Sequence, residues 1–203
     1  MEESAEVTAP PPAPTREGKR VLVGLGLATL LLGIGAALLP TVNPTADSAV
    51  IGWLMLLAGT FEATAGLVRG FEEVRTGRVS AAAVTAIAGL LLILNPYLDL
   101  FPTLYLVIGW LLLRGLILLS VTYRSDRAST MAVAVSGLAD MLLALVLIIG
   151  LPIAAFVVSV FGPTPELVAH FAWIFAASFL VTGVSLLLEP RLAASRERAA
   201  PSA

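Results

Sequence analysis

TLYLVIGWLLLRGLILLSV, residues Thr103–Val121, decides the class of this protein. It is nineteen residues long and holds one charge, Arg114. Wound as a helix at about 1.5 Å per residue, such a run nearly crosses a hydrocarbon core of about 30 Å. The strict apolar–polar alternation of a membrane barrel strand is absent. Working outward, five more apolar runs appear: Val21–Leu39, Ala49–Val68, Ser80–Leu94, Met131–Leu151 and Leu167–Leu188. The third is short and rich in alanine. In lipid every backbone amide and carbonyl must find a partner within the chain, so continuous apolar runs are helices. The sequence therefore predicts an all-α membrane protein with six transmembrane helices.

Composition agrees. Apolar residues make up 58% of the 203 and charged residues 13%, with a mean hydropathy of +0.96. A soluble domain carries about a quarter charged residues. The absence of cysteine removes disulfides, thiolate metal sites and cysteine nucleophiles. No basic patch exists beyond short helix-flanking turns, which argues against a nucleic-acid partner. The partner implied is the lipid bilayer; no cofactor, metal or small-molecule ligand is indicated, and association into a homo-oligomer is left open.

Residues 1–20, MEESAEVTAPPPAPTREGKR, form a proline- and alanine-rich zone that cannot bury apolar area and is expected to be a disordered tail. The transmembrane domain is expected over 21–190, with a short second tail over 191–203. Arg16, Lys19 and Arg20 before an apolar run invite a signal-peptide reading. That run is too long for an h-region, and no A-x-A site follows it.

Basic residues orient the chain. Arg16, Lys19 and Arg20 precede the first helix; Arg69, Arg75 and Arg78 flank the second turn; Arg124 and Arg127 flank the fourth; Arg191, Arg196 and Arg198 follow the sixth helix. The alternate connections, 40–48, 95–102 and 152–166, contain no lysine or arginine but do contain Asp47, Asp99 and Glu166. By the positive-inside bias both termini are expected in the cytoplasm.

A repeat underlies this alternation. Pro40, Pro96 and Pro152 are spaced by 56 residues and are expected to close the first, third and fifth helices. Gly33 and Gly89 keep the same offset, as do Gly59 and Gly115. The second helix of each pair opens near a tryptophan, at Gly52-Trp53, Gly109-Trp110 and Ala172-Trp173. Periodicity of this size marks duplicated supersecondary units, here three tandem helical hairpins. The tryptophan spacing places about six extra residues in the outer loop of the third hairpin. All three tryptophans suit interfacial anchoring. Gly66-x-x-x-Gly70 is a formal small-residue pair, better suited to packing within the bundle than to a dimer interface.

Hairpin repeats with closing prolines and Gly-Trp-opened second helices resemble the HdeD-like family of bacterial acid-resistance membrane proteins. The stretch Ser136-Gly-Leu-Ala-Asp140-Met-Leu-Leu-Ala is similar to the family's fifth-helix segment. The resemblance covers about residues 20–190; the proline-rich tail and the long third outer loop depart from it. It implies a six-helix protein of the bacterial inner membrane involved in acid or envelope stress.

Three ionisable side chains lie inside the predicted helices: Glu62, Arg114 and Asp140. Facing lipid near a helix centre, each would cost at least about 2.5 kcal/mol, so they are expected to face the interior and find partners. Arg114 lies ten residues from Arg124, about 15 Å deep by helical rise. Asp140 is at similar depth across a short turn, making Arg114–Asp140 the expected pair, with Glu62 within the arginine's reach. One cation with two carboxyls leaves one excess negative charge, so if all three converge one carboxyl is expected to hold a proton near neutral pH, because burial and the neighbouring like charge both disfavour a second ionised group. The cluster reads first as a buried ion pair that sets helix register, then as a proton-responsive site, then as a substrate or ion contact. His170 and Glu166, one turn apart at the outer start of the sixth helix, are possible outer-face pH-sensitive residues, since histidine changes charge near neutral pH. An interfacial side chain in water is the simpler reading.

Catalysis is not expected. Ala134-Val-Ser136-Gly137 lacks the first glycine of an intramembrane serine protease motif, and Ser136 and His170 are expected at opposite membrane faces. Gly137-Leu-Ala-Asp140 likewise misses the aspartyl-protease GxGD, and no phosphate loop or zinc motif is present. The expected function is non-enzymatic. The alternative is a small transporter or proton channel using the charge cluster, though no proline breaks a helix beside the charges as transporter sites often require.

Overall fold

Among the described residues the chain forms six helices in order: α1 (Arg16–Val42), α2 (Ser48–Gly66), α3 (Glu72–Leu98), α4 (Thr103–Arg124), α5 (Thr130–Phe161) and α6 (Glu166–Ala199). This computed structural model describes residues 15–42, 48–68, 72–98, 103–124, 130–161 and 166–199. Each helix contains a segment long and apolar enough to cross a membrane, over Arg16–Leu39, Ala49–Gly66, Arg75–Asn95, Thr103–Tyr123, Thr130–Gly150 and Ala172–Leu192. Large apolar side chains cover the outside of the bundle, among them Leu31, Ile87, Leu116, Val146 and Ile149. So much contiguous exposed apolar surface suits lipid rather than water.

Hydropathy marks the spanning part of a helix and misses polar turns that continue it. Hence α1 starts at Arg16, so the last residues assigned to the tail are helical, and α3 starts eight residues before Ser80. Two of the three prolines stand at the ends of their helices and the third does not. Pro40 and Pro96 lie in the last turns of α1 and α3, and Pro152 lies inside α5, which continues to Phe161. Proline inside a membrane helix is tolerated where neighbouring groups re-satisfy the freed carbonyl. Pro190 likewise sits inside α6, which runs on to Ala199 through most of the stretch read as a second tail. Residues 1–14 and Gly70 lie outside the described residues.

Three glycine seams hold the bundle. A Cβ on Gly52 would lie 2.6 Å from the Gly89 carbonyl oxygen, so α2 and α3 touch backbone to backbone. Gly115 and Gly137 do the same for α4 and α5, where a Cβ on Gly115 would lie 2.9 Å from the Gly137 oxygen. Gly183 and Gly26 join α6 to α1, at 2.9 Å from the Gly26 oxygen. Such closeness gains dispersion and is open only to residues without side chains. Each seam is antiparallel and links the second helix of one hairpin to the first helix of the next. The third closes the ring, so both termini share one face, called the termini face below, opposite the loop face.

The seams reveal the repeat register. Positions 26, 82 and 137 are equivalent on α1, α3 and α5, and positions 59, 115 and 183 on α2, α4 and α6. From position 137 to 183 the third hairpin spans 46 residues against 33 from 26 to 59 and from 82 to 115, so it is thirteen residues longer rather than six, and the extension of α5 to Phe161 takes up much of that length. Trp110 and Trp173 are therefore not equivalent. Trp53 and Trp173 are exposed at 60% and 55% as anchors would be, but Trp110 is 3% exposed and belongs to the core.

Two apolar zones fill the interior. Toward the termini face lie Leu22, Ala65, Ala81, Leu118, Val133 and Leu186. Toward the loop face lies a larger core built on Met55, Leu92, Leu111, Trp110, Phe175 and Phe179. Trp110 stacks on Phe175 with ring centroids 5.1 Å apart and meets Phe179 edge-on at 6.4 Å. Its indole N–H donates to Thr85 Oγ1 at 3.1 Å, satisfying the one polar atom the ring brings inside.

Candidate functional site

Arg114 stands on α4 one position before the seam glycine, aimed into the bundle where the zones meet, and is 2% exposed. Its Nε and Nη2 donate to Glu62 Oε2 and Oε1 at 3.4 and 2.9 Å, a side-on fork across one carboxylate. Nη1 donates to Asp140 Oδ2, and to Ser178 Oγ at 3.3 Å. Nη2 also donates to Thr182 Oγ1 at 2.9 Å. A guanidinium has five N–H groups, and here all five have acceptors. The carboxylates are held in turn: Ser178 Oγ donates to Asp140 Oδ1 at 2.6 Å, and Glu62 and Asp140 are 5% and 1% exposed. Thr182 Oγ1 donates to the Ser178 carbonyl at 2.8 Å and lies 3.3 Å from Ser136 Oγ. Planar geometry and a fixed donor fork suit arginine to this task where lysine, with a compact ammonium, could not span it.

The expected trio is thus brought together, with Asp140 and Glu62 both on Arg114. Sequence reading missed the hydroxyl cradle of Ser178, Thr182 and Ser136. On α6, Ser178 and Thr182 stand one helical turn apart on the bundle side, and that spacing was the available signal. A second buried pair was also missed. Arg78 of α3 bonds Glu189 of α6 through Nη2 and Oε1, with both side chains essentially buried. The sequence places Arg78 beside a turn, whereas it lies inside α3 and faces α6. Arg78 Nη1 and Glu189 Oε2 have no partner among the described residues.

The repeat register shows where these charges sit on a symmetric frame. Equivalent interior positions carry Ala58, Arg114 and Thr182; Glu62, Leu118 and Leu186; Thr29, Thr85 and Asp140; and Leu22, Arg78 and Val133, all buried. Each of these layers is charged in one copy only. A strictly repeated charge would bring like charges together in the interior, whereas single substitutions in different copies let opposite charges meet.

Glu166 and His170 lie in the first two turns of α6, but their side chains lie outside the described residues. Along the helix His170 is twelve residues from Thr182, about 18 Å by helical rise, and Thr182 is the neighbour of Ser136. Among the described residues no group of acidic or histidine side chains is arranged to hold a metal.

A short repeat of unknown function, DUF308, matches the chain twice, over residues 24–82 and 80–149. The two matches start 56 residues apart, the period of the glycines, and together span more than half of the chain. No curated protein and no solved structure matches it. HdeD-like proteins belong to the same repeat family. With six membrane-length helices, tandem hairpins and two repeat matches, the chain belongs to the DUF308 repeat family.

Proposed function

We propose that this protein is HdeD-like, resides in the bacterial inner membrane with both termini in the cytoplasm, and acts in acid or envelope stress without catalysing a reaction. The observation that carries the proposal is the Arg114 cluster, in which one fully bonded cation meets two buried carboxylates and leaves one excess negative charge. Buried ion pairs contribute more to register than to net stability, because desolvation offsets their attraction. A proton on one carboxyl neutralises the cluster and loosens one arm of Arg114. Four helices, α2, α4, α5 and α6, meet there, so their packing responds to acid. Support for the orientation comes from the basic residues at alternate connections. Support for a non-catalytic role comes from Ser136, whose hydroxyl faces Thr182 and lies far along the bundle from the position of His170.

The second reading, a small transporter or proton channel, uses the same cluster as a midplane site. Against it stands the zone of Trp110, Phe175, Phe179, Met55 and Leu92 between the cluster and the loop face. Acid survival tests the proposal. A strain lacking the protein should die faster at low pH, and wild type should restore survival where Asp140→Asn restores it incompletely. Survival unchanged by loss of the protein overturns the proposed role.

A further inference from the structure

Between the two ion pairs lies a cavity of about 10 Å³, lined by Glu62, Arg78, Ser136, Thr182 and Ser185 together with three apolar side chains. That volume admits about one water. Its walls are of mixed sign. A metal cation would meet Arg78, and an anion would meet Glu62. Water, which both donates and accepts, suits both. Arg78 Nη1, on a residue 3% exposed, has no partner among the described residues, and a buried guanidinium N–H left unbonded carries the desolvation cost of a charged group. Glu189 Oε2, on the other side of the same pair, also lacks one. Both sides hold apolar side chains, but the termini side adds the buried charges Arg78 and Glu189, whereas the loop side, built on Trp110, Phe175, Phe179, Met55 and Leu111, has no buried charge among the described residues.

We propose that one water occupies this cavity, bridging Arg78 to Glu62, and that the Glu62–Arg114–Asp140 cluster exchanges its proton with the termini face alone. This deepens, and rests on, the proposed acid-responsive role. The ionisable groups facing the path are Glu62 on α2, Arg78 on α3, Arg114 on α4, Asp140 on α5 and Glu189 on α6. From α1 come Leu22 and Thr29, the latter bonded to its own Leu25 carbonyl, with Arg16, Glu17, Lys19 and Arg20 at the termini end. Exposed Arg75 and Arg191 flank the same end. In the uptake step, an O–H bond forms on the Glu62 carboxylate as one breaks in the water. The water regains a proton from the termini side. Arg78 and Arg114 keep theirs, and the cluster passes from one excess negative charge to none.

The test uses the full chain in vesicles of known orientation, acidified on one face at a time and followed by infrared spectroscopy. The carboxylic-acid C=O band assigned by Glu62→Gln and Asp140→Asn should grow when the termini face is acidified and stay flat when the loop face is. Growth from the loop face, or from neither, overturns the proposal. Ser136→Val, which fills the cavity, should slow the band by about tenfold or more, since without the water a proton must cross apolar packing. Should that variant fail to fold, Arg78→Gln/Glu189→Gln removes the charged entrance at similar volume and should slow the band likewise. A folded variant with wild-type kinetics overturns the route. Proton flux in the same vesicles separates the two levels. Loop-face access without flux overturns only the sided access. Flux abolished by Asp140→Asn overturns the non-transport role as well.

Discussion

Replacing Arg114 by methionine keeps an unbranched apolar stem, without the guanidinium, and strands two carboxyl groups, Glu62 and Asp140, at 5% and 1% exposure. Asp140 would retain Ser178 Oγ at 2.6 Å, while Glu62 would lose both bonds of the fork. Removing one partner of a buried ion pair costs about 3–5 kcal/mol, because the remaining charge must be neutralised or hydrated in place. For a chain of this size each kcal/mol moves the unfolding midpoint by about 2–4 °C, so a fall of roughly 6–20 °C is expected. Thermal unfolding in detergent or nanodiscs, followed by fluorescence of the interior Trp110, reads this directly. The neutral triple variant Glu62→Gln/Arg114→Met/Asp140→Asn should recover most of the loss, since replacing a whole buried cluster by uncharged groups is often neutral or better. Arg114→Lys should remain impaired, because one ammonium cannot fork across Glu62 and still reach Asp140. A single Arg114→Met variant within about 1 kcal/mol of wild type would refute the reasoning, given what an unpaired buried charge costs. So would a triple variant as damaged as the single.

The second ion pair should behave alike and independently: Arg78→Met alone should cost about 3–5 kcal/mol by stranding Glu189, and Arg78→Met/Glu189→Met should restore most of it in the same melts. Gly52→Val should destabilise by about 1–3 kcal/mol or prevent assembly, because its Cβ would meet the Gly89 carbonyl oxygen at 2.6 Å, whereas Gly24→Ala, with nothing within 4 Å, should be neutral or stabilising. Trp110→Phe should lose the hydrogen bond to Thr85 and part of the stack on Phe175, about 1–3 kcal/mol, while Trp53→Phe should leave the melting midpoint unchanged.

Six spanning segments, the hairpin repeat and the meeting of Arg114 with Asp140 and Glu62 were legible in the sequence, because lipid forces charge and hydropathy into a coarse pattern. Arg114 stands out within its run since nothing near it in sequence can neutralise it. The Arg78–Glu189 pair was not legible for a related reason: each residue sits just outside an apolar run, where hydropathy stops while the helix continues. Trp110 was read as an anchor because tryptophan at a helix start suits the interface; only its packing against Thr85 and Phe175 places it inside. Pro40 and Pro96 keep the expected place at a helix end, but Pro152 does not, since a membrane helix tolerates proline where a soluble one breaks. Ser136, Ser178 and Thr182 carry no charge to draw attention, and hydroxyls in membrane helices commonly bond their own backbone, as Thr29 and Thr85 do here.

Whether the central cluster fastens and biases the bundle or conducts through it is tested most directly by passive proton flux in proteoliposomes carrying wild type or Asp140→Asn, paired with melts of both. An apolar zone sealing the loop side predicts that both preparations leak like protein-free vesicles while Asp140→Asn melts at lower temperature. Wild-type flux well above the lipid background, abolished by Asp140→Asn in a protein that still melts normally, would contradict it.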